Sequence, residues 1–515
     1  MADLILAHDL GTTGNKATLI DAAGKPVASV FEAYPTAYPQ PNWAEQDPAD
    51  WQRALVNSTR RLLAQSEIDP AQIAVVSFSG HMQGALVVDE AGNPLRPAII
   101  WADQRATQQA AFIAQASGGE GAVYRLTGHR VSPAYTAAKV LWIRQHQPEV
   151  YRRTRWVLQP KDYAAFLLTG RFATDYSDAS GTQLYDLERR RWADDLIRAV
   201  GLPGHILPEA HPSTTVIGQV TPEAARLTGL LPGTPVVIGG GDGACATVGS
   251  GAIQEGDAYT YIGSSAWMAL SARHPLIDPQ QRIVTFAHLD PVLCFSLGNM
   301  QAAGGAFDWL ERLLNCRPDA GPAYAELDAL AATTPPGAGG VLCLPYLLGE
   351  RSPHWNPQAR AAFVGLSMAH GRAEMARAVL EGVAFNLRWI LDVLRSQGAQ
   401  MQRMSVIGGG ARSALWRQIL ADVYGMPLLR PRLDATATAL GAAIAGGIGV
   451  GLFPNFSVVN QIVPVIEAER PAPDHVQRYA SLCAVFQQTY AALEPIFNRL
   501  AAPGLAPGDR PSGAS

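Results

Sequence analysis

The run Val236-Val237-Ile238 enters Gly239-Gly240-Gly241 and ends on one carboxylate, Asp242. Glycine lets backbone approach a ligand closely and permits positive φ. An acid set there has the makings of a base held against a substrate. The competing reading is a tight turn whose Asp accepts local backbone N–H bonds. A second group is Asp9-Leu10-Gly11-Thr12-Thr13-Gly14-Asn15-Lys16. Such a turn exposes backbone N–H groups, Thr12 and Thr13 add hydroxyl donors, and Lys16 adds a positive charge. These are the parts needed to cradle phosphate oxygens. Asp9, at the strand end, is placed to hold Mg²⁺ through water, because that ion dehydrates reluctantly. The spacing is neither GxxxxGK[ST] nor GxGxxG, and an ordinary hairpin turn is the alternative.

Further along, Gly263-Ser264-Ser265 is a donor-rich turn suited to the same phosphate chain, although it is a weak signal alone. Gly408-Gly409-Gly410-Ala411-Arg412-Ser413 sits at a strand-to-helix junction, where small residues would let an adenine or ribose lie flat on backbone. A plain helix-entry turn is its alternative. Ser79-Gly80-His81-Met82-Gln83-Gly84 offers two side chains able to bond hydroxyls, and Trp101-Ala102-Asp103-Gln104-Arg105 adds an aromatic face, an acid and a guanidinium. Polar groups beside an aromatic plane suit a polyol; a lone His can equally be structural.

The elements that must position these residues alternate between strand and helix, which predicts an α/β fold. Apolar runs at 4–7 and 17–20 flank the first turn, and runs at 73–77 and 85–88 flank the His81 segment. Helical spacing covers 51–63, 152–168 and, as the longest such pattern, 372–394. The strand, glycine-hydroxyl turn and strand at 258–270 echo the opening of the chain and suggest two related halves, with a boundary near 249–256. The tail 501–515 is rich in Pro, Gly and Ser, so disorder is expected there.

The chain has 515 residues, enough for two to four domains at about 100–200 residues each. Its net charge of −4 provides no global field for nucleic acid or an anionic membrane. Five scattered cysteines (Cys245, Cys294, Cys316, Cys343, Cys483), with no CxxC pair, predict reduced thiols and a cytoplasmic protein. The opening residues do not form a signal peptide. The nearly uncharged stretch 435–452 carries five glycines and two threonines, which favours a tightly packed internal helix over a membrane span.

Taken in order, Asp9-Leu-Gly-Thr-Thr, Trp101-x-Asp103-x-Arg105, Gly240-Gly-Asp242, Gly263-Ser-Ser, the segment 344–354 and Gly408-Gly-Gly-Ala-Arg-Ser resemble the FGGY carbohydrate kinases over residues 3–450, most closely their xylulose-kinase branch. The resemblance implies two ribonuclease-H-like domains of the actin and hexokinase type flanking a deep cleft, here residues 1–249 for sugar and phosphate and 250–500 for nucleotide. It implies Asp242 as catalytic base and, with Asp9, as a metal-associated acid. Thr12, Thr13 and Lys16 fall on the first phosphate motif, and Gly263 and Ser264 on the second. Gly409, Gly410 and Ala411 fall on the nucleotide turn, with Gly304 also at the nucleotide. His81, Met82, Gln83, Asp103 and Asp242 fall on the sugar pocket.

The implied reaction is phosphorylation of a ketopentose, D-xylulose first, by ATP with Mg²⁺. The alternatives are another ketose or polyol (L-xylulose, ribulose, glycerol) and a sugar-sensing protein that is not a kinase. The expected partners are the sugar and ATP, without nucleic acid or membrane, and a homodimer is the assembly considered. This chain departs from the family pattern twice. His81-Met82-Gln83 inverts the Gln-Met-His common in xylulose kinases, and Gly243 stands where a polar residue such as Asn often sits.

Overall fold

The computed structural model describes residues 3–314, 324–433 and 436–501. The chain divides into two compact units, and the division is not contiguous in sequence. The first holds Met1–Glu255, Ser271–Ser296 and Arg432–Pro464; the second holds Gly256–Leu270, Leu297–Pro431 and Val465–Ser515.

In the first unit the sheet order is Val216–Gln219, Pro235–Val237, Ile73–Gly80, Leu4–Leu10, Gly14–Ile20 and Pro26–Ala33, with the short Gly240–Gly241 strand also on Ile73–Gly80. The three N-terminal strands run antiparallel, whereas Ile73–Gly80 lies parallel to Leu4–Leu10. Successive side chains of a strand point to opposite faces. Leu4, Leu6 and Leu10 therefore join Trp51, Leu55 and Leu62 of the helix Pro48–Ser66 in one core. That helix starts sharply, because the Asp47 side chain accepts the Ala49 N–H and Pro48 occupies its first turn. His8 lies on the same face, fully buried, with Asn15 Nδ2 3.0 Å from its Nδ1. Burial pulls its pKa down to about 3, so the ring is neutral.

The odd-numbered side chains of Leu4–Leu10 face the helix Ala437–Gly449. A Cβ on Gly446 would stand 2.8 Å from Ser77 Cβ and 3.5 Å from Ile5 Cγ2. A Cβ on Gly441 would stand 2.0 Å from the Cys245 carbonyl oxygen, so this helix and Asp242–Gly249 meet backbone to backbone. Tight internal packing is thus the role of the small-residue stretch. Among the described residues no helix is long and apolar enough to cross a membrane.

Six strands of a second sheet follow the same plan. Their order is Cys294–Met300, Ala266–Ala272, Ala258–Ile262, Met404–Ile407, Leu428–Pro431 and Val465–Glu469. Ala258–Ile262 pairs antiparallel with Ala266–Ala272 and parallel with Met404–Ile407. The fold is mixed α/β with a duplicated sheet plan, which accounts for the echo in the sequence.

Two sequence expectations need correction. Residues 152–168 are not one helix: Pro148–Arg153 ends, Trp156–Leu158 pairs as a strand with Leu86–Val88, and Pro160–Thr169 begins anew. Proline at 160 has no N–H to give a helix and pushes residue 159 to extended backbone, observed at φ −89°, ψ 165°. The longest helix is Pro473–Leu500, at 28 residues, rather than Arg372–Ser396, at 25. Cys245, Cys294, Cys343 and Cys483 are buried free thiols; Cys316 and residues 502–515 lie outside the described residues.

Candidate active site

Sheet register assembles the charged part of the site. Lys16 pairs with Asp9, Asp9 with Ser79, and Ser79 with Gly240, so four adjacent strands present one row. Neighbouring strands lie about 4.8 Å apart, and Asp242 follows Gly240 by two residues at the start of the helix Asp242–Gly249. The turn after Asp9 is closed by Gly11 N–H bonds to Asp9 O (3.1 Å) and Gly14 O (3.0 Å), leaving Thr13 exposed and Lys16 half-buried.

Asp9 on this row acts on Asp242, two residues beyond its end. Asp242 is pushed up to about 7, first by burial and then by the Asp9 charge, while the Gly243 N–H bond (2.7 Å) opposes the rise. That bond is the local contact of the turn reading. Burial also raises Asp9, against the hydrogen bond from Thr438 and the charge of Lys16. A donor pair of this kind, two carboxylates sharing one desolvated corner, fits a hard divalent ion that takes its remaining oxygens from water and phosphate. Among the described residues no group of three or more His, Cys, Asp or Glu forms a denser metal site.

Thr438 was not legible as a functional residue. Its hydroxyl donates to Asp9 Oδ2 at 2.6 Å from the helix Ala437–Gly449, more than 400 residues away in sequence. Its surrounding composition signals only packing.

The expected sugar-binding residues have different surroundings. Met82 lies against Gly241, where a Cβ would come within 2.5 Å of Met82 Cγ. His81 is buried and neutral, its pKa pulled to about 3 by burial and by Lys139; Nε2 lies 3.2 Å from Gln46 Oε1. Among the described residues its Nδ1 has no hydrogen-bond partner. Gln83 adopts φ +67°, and its carbonyl accepts Lys139 Nζ at 2.7 Å. Asp103 differs from an open pocket acid. It is fully buried, and its oxygens accept from Ala44 N (2.6 Å) and from Arg105 Nε and Nη2. It supports the wall from behind, while Trp101 Nε1 donates to Thr12 Oγ1 at 3.0 Å.

The residues expected to meet the nucleotide converge in the second unit. Gly304 N donates to Gly263 O at 2.8 Å, and Ala303 and Gly305 N both donate to Ser264 O at 2.9 Å. A Cβ on Gly304 would stand 2.4 Å from Gly263 O, and one on Gly408 2.5 Å from Ile262 O. Gly409 has no neighbour within 4 Å of its Cβ position, which leaves bare backbone for a flat ring. Ala411 is buried beneath it.

Comparison with known proteins gives this geometry a family. The N-terminal domain of the FGGY family of carbohydrate kinases matches residues 4–249, and its C-terminal domain matches residues 258–450. The chain is an FGGY carbohydrate kinase. It is 35% identical over 496 residues to the xylulose kinase of Escherichia coli strain K12, covering 96% of this chain and all of that one. It is 31% identical over 509 residues to a gluconokinase of Bacillus subtilis strain 168, covering 97% and 98%. Among solved structures, the xylulose kinase from Rhodospirillum rubrum superposes with a TM-score of 0.88 at 33% identity, covering 96% of the kinase and all of the solved chain. The kinase phosphorylates a sugar, and ATP is the donor its family implies.

Proposed function

We propose that the kinase transfers the γ-phosphoryl group of ATP to a ketopentose, D-xylulose first, with Asp242 as general base. The observation that carries this reading is the register row Lys16–Asp9–Ser79–Gly240, which sets Asp242 beside a phosphate-cradling turn and beside Met82. His81, Met82 and Gln83 orient the sugar. Asp242 accepts the proton of a terminal hydroxyl whose oxygen bonds to the γ-phosphorus. The bond from that phosphorus to the β–γ bridging oxygen breaks and ADP leaves. Such transfers depend on positioning and charge neutralisation more than on covalent help. Thr12, Thr13 and Lys16 meet phosphate oxygens, as do Gly263 and Ser264; Gly304, Gly409, Gly410 and Ala411 receive the nucleotide. Asp9 and Asp242 would hold Mg²⁺, which supplies further neutralisation of phosphate charge.

The Escherichia coli xylulose kinase and the Bacillus subtilis gluconokinase define the substrate question. ADP release measured with D-xylulose, L-xylulose, D-ribulose, L-ribulose, gluconate and glycerol answers it. D-xylulose is expected to give the highest kcat/KM. A clear preference for gluconate or glycerol would replace the substrate and leave the kinase chemistry standing.

A further inference from the structure

A continuous buried chain of hydrogen bonds joins the sugar segment to the turn that carries Asp242. Gly84 donates its N–H to Gln159 Oε1 at 2.8 Å and accepts from Gln159 Nε2 at 3.0 Å. The Gln159 N–H donates to Asp162 Oδ2 at 3.0 Å, and Lys161 Nζ donates to Asp162 Oδ1 at 2.7 Å. Lys161 Nζ also lies 3.0 Å from Asp175 Oδ1. Ser177 Oγ donates to Asp175 Oδ2 at 2.5 Å and accepts the Gly241 N–H at 2.9 Å. Gln159, Lys161, Asp162, Asp175 and Ser177 are all essentially inaccessible to water.

Burying a lysine among carboxylates is a poor way to gain stability, because desolvation offsets most of the attraction. Its use lies in fixing one geometry. The surroundings agree. A Cβ on Gly240 would stand 2.9 Å from Ser177 Oγ, and one on Gly80 would stand 3.1 Å from Lys161 Cβ. The chain therefore runs directly beneath both glycine segments. Asp162 and Asp175 also cap the helices Pro160–Thr169 and Tyr176–Ser180, so the chain's joints are tied to rigid elements.

We infer that Ser177, Asp175, Lys161, Asp162 and Gln159 form a positioning network that fixes the spacing between the sugar-orienting segment 81–84 and Asp242. The inference rests on the proposed role of Asp242. Ser177 is the last link and touches nothing that reacts. Removing its hydroxyl frees the Gly241 N–H, and a misplacement of about 1 Å can cost 10²-fold in rate.

The test uses the full-length kinase and whichever sugar gives most ADP release. Ser177→Ala is expected to lower kcat by about 10- to 100-fold, with sugar KM within about threefold of wild type. Ser213→Ala removes another bond to the same Asp175 oxygen (2.8 Å) and leaves the Gly241 link intact. It is expected to keep kcat within about twofold. In an Asp242→Asn background, Ser177→Ala should change residual turnover by less than about twofold, since its effect passes through Asp242. Gln159→Met cuts the opposite end and should raise sugar KM by about tenfold. An equal loss from Ser177→Ala in both backgrounds would overturn the network, as would an equal loss from Ser213→Ala. Should Ser177→Ala fail to fold, an unchanged KM in Gln159→Met overturns it alone. If Asp242→Asn keeps more than about a tenth of kcat, the base assignment itself fails, whatever Ser177 shows.

Discussion

The strands Leu4–Leu10 and Ala258–Ile262 hold equivalent central places in two sheets with one plan, and each ends in a glycine-hydroxyl turn. At the same register they carry different chemistry. Asp9 faces Lys16 across the first hairpin, whereas Tyr261 faces Trp267 across the second, their rings stacked 4.0 Å apart. In the proposed reaction the first hairpin offers a carboxyl group and a lysine to the phosphoryl group. The second carries aromatic rings there, and its proposed contribution comes from the Gly263, Gly304 and Gly408–410 backbone. A shared strand plan therefore fixes where a ligand meets the sheet, while the residues at the strand ends decide what the meeting does.

The sharpest way to break this comparison is to neutralise the proposed base of the first unit. Asp242→Asn is expected to keep sugar binding and to lower kcat by about 10²–10⁴-fold, measured as ADP release. More than about a tenth of wild-type turnover would reject a catalytic difference between the units. The next effect belongs to the second unit. Gly304→Ala must move the Gly263 carbonyl that a Cβ would meet at 2.4 Å. We expect KM for ATP to rise about tenfold with sugar KM unchanged, a cost of about 1.4 kcal/mol in nucleotide binding. A rise in sugar KM instead would contradict the division of labour.

The smallest effect concerns one acid that the second unit buries. Glu350 is pushed up to about 8 from its ordinary 4.5 by burial, against N–H bonds from Gln301 and Arg351. The folded state thus holds a proton that the unfolded chain releases above about 4.5. This contribution to stability is full below about 4.5, declines as pH rises and is gone above about 8. Thermal unfolding of wild type and Glu350→Gln between these limits should show the variant gaining on wild type as pH rises. A constant difference would mean that Glu350 is ionised at neutral pH.

Much of the candidate site could be read directly. The Asp9 turn, Gly239-Gly240-Gly241-Asp242 and the turns at 263 and 408 are local patterns, because a glycine requirement is set by backbone within a few residues. The helix break at Pro160 was equally local, and a helical period extending across it concealed it. Asp103 shows a limit of another kind: its residue type suits a sugar, but its oxygens are taken up by Arg105 and the Ala44 N–H.

By itself the sequence determined the alternating α/β character, the repeated strand-turn-strand theme and the residue types available for phosphoryl chemistry, since all three follow from short-range period and composition. Tertiary structure alone decided the partners. Residues 432–464 belong to the first unit, where Thr438 bonds Asp9. The Lys161 cluster runs beneath Gly241, and four strands align Lys16 with Gly240. These pairings depend on sheet register and helix docking between segments far apart in the chain, and no local pattern encodes such distances.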